Sequence, residues 1–501
     1  MKRRDFLKRS LTGTALGAVV ASLPNNCFSR PGQRERLGPN SLQLPVMQHY
    51  RRMFPQLAAT DSEVAGEGEL IALGEKMRED PASRPNQQRP PPMAGYTYLG
   101  QFINHDLSFD ITPLDQAQSD VGRISNFRTP FLDLDHVYAG GPEVSPFLYD
   151  QQSKHGEEKL LIGDTVATAV NGKDFPSTRD DLPRNAQGIA LVGDPRQDEN
   201  LIIAQLHVAF LKLHNRVLDC VKRGEIQGSG GTAFERARRI VTWHYQWMIR
   251  HDFLSQILHP RVFEQTFSDQ HRGRNESNSQ IPVEYSLAAG RFGHSMVRDE
   301  YFINETHPEA NLREDLFRLT GRGGGACPRL PADWVVAWER FFFVGSGTGL
   351  VRRSRPIDTR LAEGLHQPER PGSFSLPVKT LLRGKRVGLP SGQETARACG
   401  VEPLTPEQIG EGRDKELLVR SGYDKATPLW YYVLKEAEVT AEGAHLGLLG
   451  SKLVAEVILS GIVKDPSSYH TVDPSWTPTL PGPDDPQLFG MADLLRFATL
   501  A

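Results

Sequence analysis

The stretch GQFINHD, Gly100 to Asp106, sets an amide, Gln101, and an imidazole, His105, four residues apart, with a carboxylate, Asp106, directly after. On a helix, positions i and i+4 share a face, so Gln101 and His105 point into one space. There a neutral imidazole can take a proton and hand it back. A second stretch, LVGDPRQDENL from Leu191 to Leu201, puts Arg196 in a turn, where a guanidinium can polarise an anion. A third, PVEYSLAAGRFGHSMVR from Pro282 to Arg298, carries small residues, then Arg291, Gly293 and His294. Gly293 leaves room for a flat ligand beside His294, itself a candidate axial metal ligand. A fourth, TPFLDLDHVY, offers oxygens at alternating positions: Thr129, the carbonyl of Phe131, Asp133 and Asp135. Calcium takes about six to eight hard oxygens in a flexible shell. Alone, each pattern is weak. A single histidine on an apolar helix is more often structural. An arginine is more often paired with a neighbour such as Asp194 or Asp198, and DLD is more often a solvated turn.

The elements that must hold these groups are mostly helical. Leu206, Phe210, Leu213 and Val217 recur at helical spacing within Glu199 to Arg223, the clearest helix. Ala233 to Leu258 reads as a second long helix, and residues 98–107 as a short one carrying Gln101 and His105. Shorter helices are expected near 284–296, 332–341, 393–399 and 442–464, with loops over 113–190 and few strands. The fold class is therefore mainly α, with long loops and little β structure. The expected organisation is a leader over 1–30, an extended arm with short helices over 31–90, one helical domain over 91–480 and a tail over 481–501.

Composition narrows the classes. The chain has 501 residues, is 38% hydrophobic and carries a net charge of −3, which argues against general nucleic-acid binding. Cys27, Cys220, Cys327 and Cys399 share no metal-type spacing and form no disulfide framework. No run of about 18 apolar residues suggests a membrane span. The start, MKRRDFLKRS followed by an apolar run from Leu11 to Leu23, reads as an export signal. Its Arg3–Arg4 pair resembles the twin-arginine class, with Lys2 where a hydroxyl residue is usual. Export to a periplasmic or secreted location by twin-arginine-type machinery is the expectation.

Taken together, QxxxHD, GDxRxxE leading into a long helix, and RFGH resemble the animal-type haem peroxidase (peroxidase–cyclooxygenase) superfamily, here as a bacterial exported member. The resemblance implies an animal haem peroxidase-like helical domain holding haem b. It assigns distal roles to Gln101, His105 and Arg196, and the proximal iron ligand to His294. It implies that hydrogen peroxide is cleaved with His105 as base and then acid, through a high-valent iron–oxo intermediate that oxidises a small-molecule or halide reductant. It also implies one calcium shared by Thr129, Phe131, Asp133, Asp135 and Asp106. Two other classes stand beside this one: a fatty-acid dioxygenase-like oxygenase, and a non-catalytic secreted haem and calcium adhesion protein.

The likeness has departures. Members that esterify haem use an Asp before the distal histidine, where this chain has Asn104; the second position, Glu199, is present. At most one ester link, through Glu199, is expected. The Asn that accepts the proximal imidazole's hydrogen bond is replaced by Thr380 in SLPVKTLLRGKRVGLPSGQ. The radical Tyr of the oxygenase branch is Arg291 here, as in the peroxidase members, which disfavours dioxygenation by that route.

Overall fold

In the computed structural model the described residues are 48–57, 66–79, 89–113, 120–152, 158–226, 230–267, 279–321, 329–344, 351–368 and 373–499. Every feature below lies in one unit, Gln43–Ala501. The leader-type segment lies outside the described residues.

Among the described residues, eight helices of eight or more residues carry this unit: α1 Glu67–Lys76, α2 Ala94–Leu107, α3 Leu201–Arg223, α4 Ala233–Met248, α5 Leu376–Val387, α6 Leu429–Ala441, α7 Leu448–Val463 and α8 Met491–Thr499. Strands occur only as three two-stranded antiparallel pairs among the described residues. The mainly α expectation is met.

The axis of the fold is α3. Asn200 caps it by accepting from the Ile203 amide at 2.9 Å, and Gly224, at φ 73°, closes its far end. It packs against α2, α4 and α8. Buried apolar side chains on both sides, Leu206, Phe210 and Leu213 among them, join it to one core. Full burial of such a side chain contributes about 1.5–3 kcal/mol. The helix α2 is buried on nearly every face. Its entry is fixed by Ala94 N donating to Arg352 O at 2.9 Å. Gly95 is required there, because a Cβ would sit 2.3 Å from the Phe342 ring.

Some elements differ from the expected ones. The second long helix widens into a π turn, Ile249–Phe253, before ending at Ile257. At that turn Asp252 accepts from the Tyr96 hydroxyl and, at 2.8 Å, from Met491 N. Residues 284–296 form a short helix, Val283–Ser286, and a 3-10 turn, Ala289–His294, in place of one helix. The stretch 332–341 holds only two 3-10 turns. Within the expected tail, α8 buries Leu494 and Leu495 against the core. Residues 48–51 of the arm run beside Ser125–Asn126 and 281–283, bringing buried Tyr50 into the interior.

Candidate functional site

Two layers of the site, one on α2 and one on the turn Ala289–His294, are in contact with each other. The upper layer is α2 with the 3-10 turn Pro195–Asp198 that precedes α3. Gln101 and His105 project from one face of α2, and both reach Glu199. The Gln101 amide contacts its carboxylate, and His105 Nε2 lies 3.5 Å from Oε1. Arg196 is engaged twice: Nη2 donates to the His105 carbonyl at 3.1 Å and to Asp194 Oδ2 at 2.7 Å. Its guanidinium also lies over the Phe109 ring, 4.4 Å from the centroid. The ion pair with Asp194 and the approach to His105 therefore coexist. Asp194 is fully buried; burial raises its proton affinity, but Arg196 overrides this and holds the carboxyl well below its usual range. Burial, then Arg196, lowers the His105 pKa against the opposing pull of Glu199, so the imidazole is neutral at neutral pH. Gln197, an amide whose role the motif did not suggest, holds His105 Nδ1 at 3.3 Å.

The lower layer is the turn Ala289–His294, tied to α2 by Asn104 Nδ2 donating to Gly290 O at 3.2 Å. Here Arg291 and His294 point inward. The atoms massed around His294 drive its pKa down to about 3, chiefly by desolvation and then by Arg291, yet part of its surface stays uncovered. Its Nδ1 is buried with no hydrogen-bond partner. A Cβ placed on Gly293 would meet nothing within 4 Å. The charge of Glu199 acts on both His105 and His294, which sets Glu199 between the two layers. Arg291 is lowered to about 10 by burial and by Arg383, and it also feels Asp110, Tyr50 and Arg196. Tyr50, from the arm, is pushed up to about 12 by burial and by Asp110. Thr380 is not brought to His294: its hydroxyl donates to Leu376 O at 2.9 Å.

Behind the upper layer lies a carboxylate cluster. Asp106 accepts from Leu134 N at 3.2 Å and Asp135 N at 3.1 Å and shares a hydrogen bond with His136 Nδ1 at 2.8 Å. Ligand atoms of Asp106, Asp135 and His136 lie within 4.8 Å of one another, all three residues buried. Thr129 donates to Asp133 Oδ1 at 2.8 Å, and Phe131 lies on the same loop. Burial raises Asp106 to about 8 and Asp135 to about 6; it raises Asp133 as well, with Asp135 and Asp106 adding to the effect. Carboxylates so crowded and desolvated favour a proton or a metal ion. The chemistry of this donor set fits a bound cation. His136 is the member that the alternating-oxygen pattern did not anticipate. Arg128 links the cluster to the site, 3.2 Å from both Asp135 Oδ1 and Asp194 Oδ2.

The unpartnered His294 Nδ1, the open flank at Gly293 and the neighbouring cations of Arg291 and Arg383, the latter paired with Asp110 at 2.8 Å, are compatible with a flat, dianionic metalloporphyrin. The fold is shared with solved structures of a peroxidase and of fatty acid alpha-dioxygenases. Peroxidase A from Dictyostelium discoideum superposes with a TM-score of 0.55 at 16% identity, covering 85% of this chain and 88% of its own. A fatty acid alpha-dioxygenase from Arabidopsis thaliana does so at 0.55 and 15%, covering 81% and 71%. The family model described as animal haem peroxidase matches residues 100–411, and the chain belongs to that family.

Among curated relatives, mouse thyroid peroxidase is 28% identical over 324 residues, 61% of this chain and 33% of that protein. The peroxidasin homologue pxn-2 of Caenorhabditis elegans is 25% identical over 293 residues, 55% and 21% respectively. The match to thyroid peroxidase thus spans about a third of that relative's length. The expectation of a bacterial member is corrected. Relatives named here come from mouse, rat, dog, human, hamster, fly and worm, and the peroxidase structure from Dictyostelium. That qualifier came from the leader-type residues, whereas the motifs of the helical domain carry no such information. No helix among the described residues is long and apolar enough to cross a membrane.

Proposed function

We propose that the chain is a haem peroxidase that uses hydrogen peroxide to oxidise small reducing substrates or halides. What supports this is that the Glu199 charge acts on both His105 and His294, that Gln101 contacts the same carboxylate, and that His294 Nδ1 has no hydrogen-bond partner; haem would occupy a slot between the two layers. His294 would hold the iron, and Arg291 and Arg383 the propionates. Glu199 is the carboxylate available for a single ester link. Bound haem supplies the iron at which peroxide is activated and the oxidising power passed to the donor.

The chain's own residues then do acid–base work. Neutral His105 accepts a proton from entering peroxide through Nε2 and returns it to the departing oxygen. This needs the Gln197 amide turned so that its otherwise unpartnered Oε1 accepts from His105 Nδ1–H, which leaves Nε2 free as the acceptor. Arg196 turns positive charge toward the bond being broken, and the Gln101 amide donates to developing negative charge. The carboxylate cluster takes calcium through Thr129, Phe131, Asp133, Asp135 and Asp106, which pins the helix bearing His105. Export is part of the proposal and rests on the twin-arginine-type leader.

The test is an optical spectrum of purified, haem-reconstituted protein before and after a small excess of peroxide, with a phenol and iodide as donors. A Soret band that shifts on peroxide, with donor turnover, is expected. A band inert to peroxide sinks the reading in favour of a binding protein. Oxygen uptake with linoleate and no added peroxide sinks it in favour of a fatty-acid oxygenase.

A further inference from the structure

A cavity of about 480 Å³ is lined by residues of α5 and α6, Thr380, Leu381 and Trp430 among them, and by none of Gln101, His105, Glu199 or His294. That volume suits a small organic molecule. Its floor is the indole of Trp430, which is 2% exposed, together with Leu287 and Leu381. The far edge of the same indole reaches the site. Trp430 Nε1 donates to Arg291 O at 3.2 Å, and the ring centroid lies 6.2 Å from that of His294. One aromatic residue thus separates the cavity from the proximal imidazole.

The walls carry a charge bias. Lys385, Arg397 and Lys425 line the cavity, against one carboxylate, Glu394. That carboxylate is committed to a helix cap, where it accepts from Ser391 N at 3.1 Å and Ser391 Oγ at 2.8 Å. Lys385 also faces Glu67 of α1. Arg397 and Lys425 are exposed, so the mouth reaches solvent and presents cations there. A cavity of mixed lining with one indole in its wall and a cationic rim suits a flat molecule bearing an anion.

We propose that this cavity binds a small phenolic carboxylate as the reducing substrate, and that Trp430 carries its electron to the haem side of His294. This rests on the peroxidase reading above. The carboxylate sits against Lys425 and Arg397, and the phenol ring stacks on the floor. In each step the phenol O–H bond breaks. The proton leaves to solvent through the open mouth, and one electron passes through the indole to the peroxide-oxidised haem. Two phenols and one hydrogen peroxide give two phenoxyl radicals and two waters. The donor never has to enter the slot occupied by peroxide.

The probe is 4-hydroxycinnamate, titrated calorimetrically into the reconstituted full-length protein without peroxide. One binding site is expected, and the double variant Arg397→Glu/Lys425→Glu should weaken it by at least about 10-fold. In Trp430→Phe the affinity should hold, while turnover of the phenolic acid relative to iodide falls by about 10-fold. Unchanged affinity on charge reversal, or an unchanged turnover ratio in Trp430→Phe, overturns the proposal. Wild-type protein that turns over iodide but does not bind the acid overturns the cavity assignment and leaves the peroxidase reading standing. Protein that binds the acid but turns over neither donor overturns the peroxidase reading and the electron path with it.

Discussion

The two sides of the slot are built differently. On the upper side polar groups are locked before any ligand arrives. Arg196 is held by Asp194, Asp194 by Arg128, and Arg128 by Asp135 of the carboxylate cluster. Gln101 and His105 meet Glu199. On the lower side His294 rides a short 3-10 turn with Nδ1 unpartnered, Thr380 turned to its own helix, and a cavity beyond Trp430. The residues proposed for acid–base work are thus held in place by the chain, while the proposed metal ligand is held loosely. Such pre-organisation lowers a barrier because no reorganisation is needed as charge moves.

The largest effect should come from breaking the lower side outright. In His294→Ala the only imidazole on the Ala289–His294 turn is gone. Haem affinity should fall by at least about 100-fold, since even outer-shell partners of a metal ligand are worth 10–100-fold. Titration of apoprotein with haemin, read at the Soret band, decides this. Retained axial ligation would move the iron to another residue.

Breaking the upper side should leave haem in place and slow only the chemistry. His105→Ala should reduce the rate of the peroxide-induced spectral change by about 100-fold or more. The pH dependence sharpens the point. Burial, then Arg196, holds the His105 pKa below 6.5, so the proton-accepting form persists as pH falls through 6.5. The wild-type rate should stay level through that value and drop only at lower pH, as the imidazole becomes charged. A rate that halves near pH 6.5, the value of a solvated imidazole, would mean that His105 is open to water or is not the base.

How legible each side was in the sequence follows from the same contrast. Gln101, His105 and Asp106 sit on one continuous helix, so a fixed i, i+4 rule gives their directions. Arg196 and Glu199 flank the start of the most periodic helix and were equally readable. The turn bearing His294 was expected within a helix near 284–296; the observed path is a short helix and a 3-10 turn, packed against α6 and α7. Trp430 and Tyr50 come from segments remote from the motifs, and no local spacing could bring them to the site. His136 lay within a quoted motif, but a pattern of oxygens hides an imidazole.

A third effect is intermediate in size and tests the tie between the cluster and the slot. Chelation of calcium should lower Tm, by roughly 3 °C if the ion was present at about 100 times its Kd. Because Asp106 follows His105 directly on α2, the peroxide rate should fall along with Tm, and added calcium should restore both. Loss of stability with an unchanged rate would show that the upper layer is held by the Arg196–Asp194–Arg128 chain alone.

The smallest effect should come from repairing the looser side. In Thr380→Asn the longer amide can reach toward the site and accept from His294 Nδ1, a bond that the threonine hydroxyl, spent on Leu376 O, does not make. One net hydrogen bond contributes about 1 kcal/mol, so haem retention should improve by roughly fivefold. The iron reduction potential should fall as the imidazole gains anionic character. Thr380→Val, of similar shape but unable to accept, should match wild type in both readings. Because Thr380 also lines the 480 Å³ cavity, the added amide should weaken 4-hydroxycinnamate binding measured without peroxide. If potential and retention match wild type in both variants, the free Nδ1 is served by another group, and the contrast between the two sides is smaller than the geometry indicates.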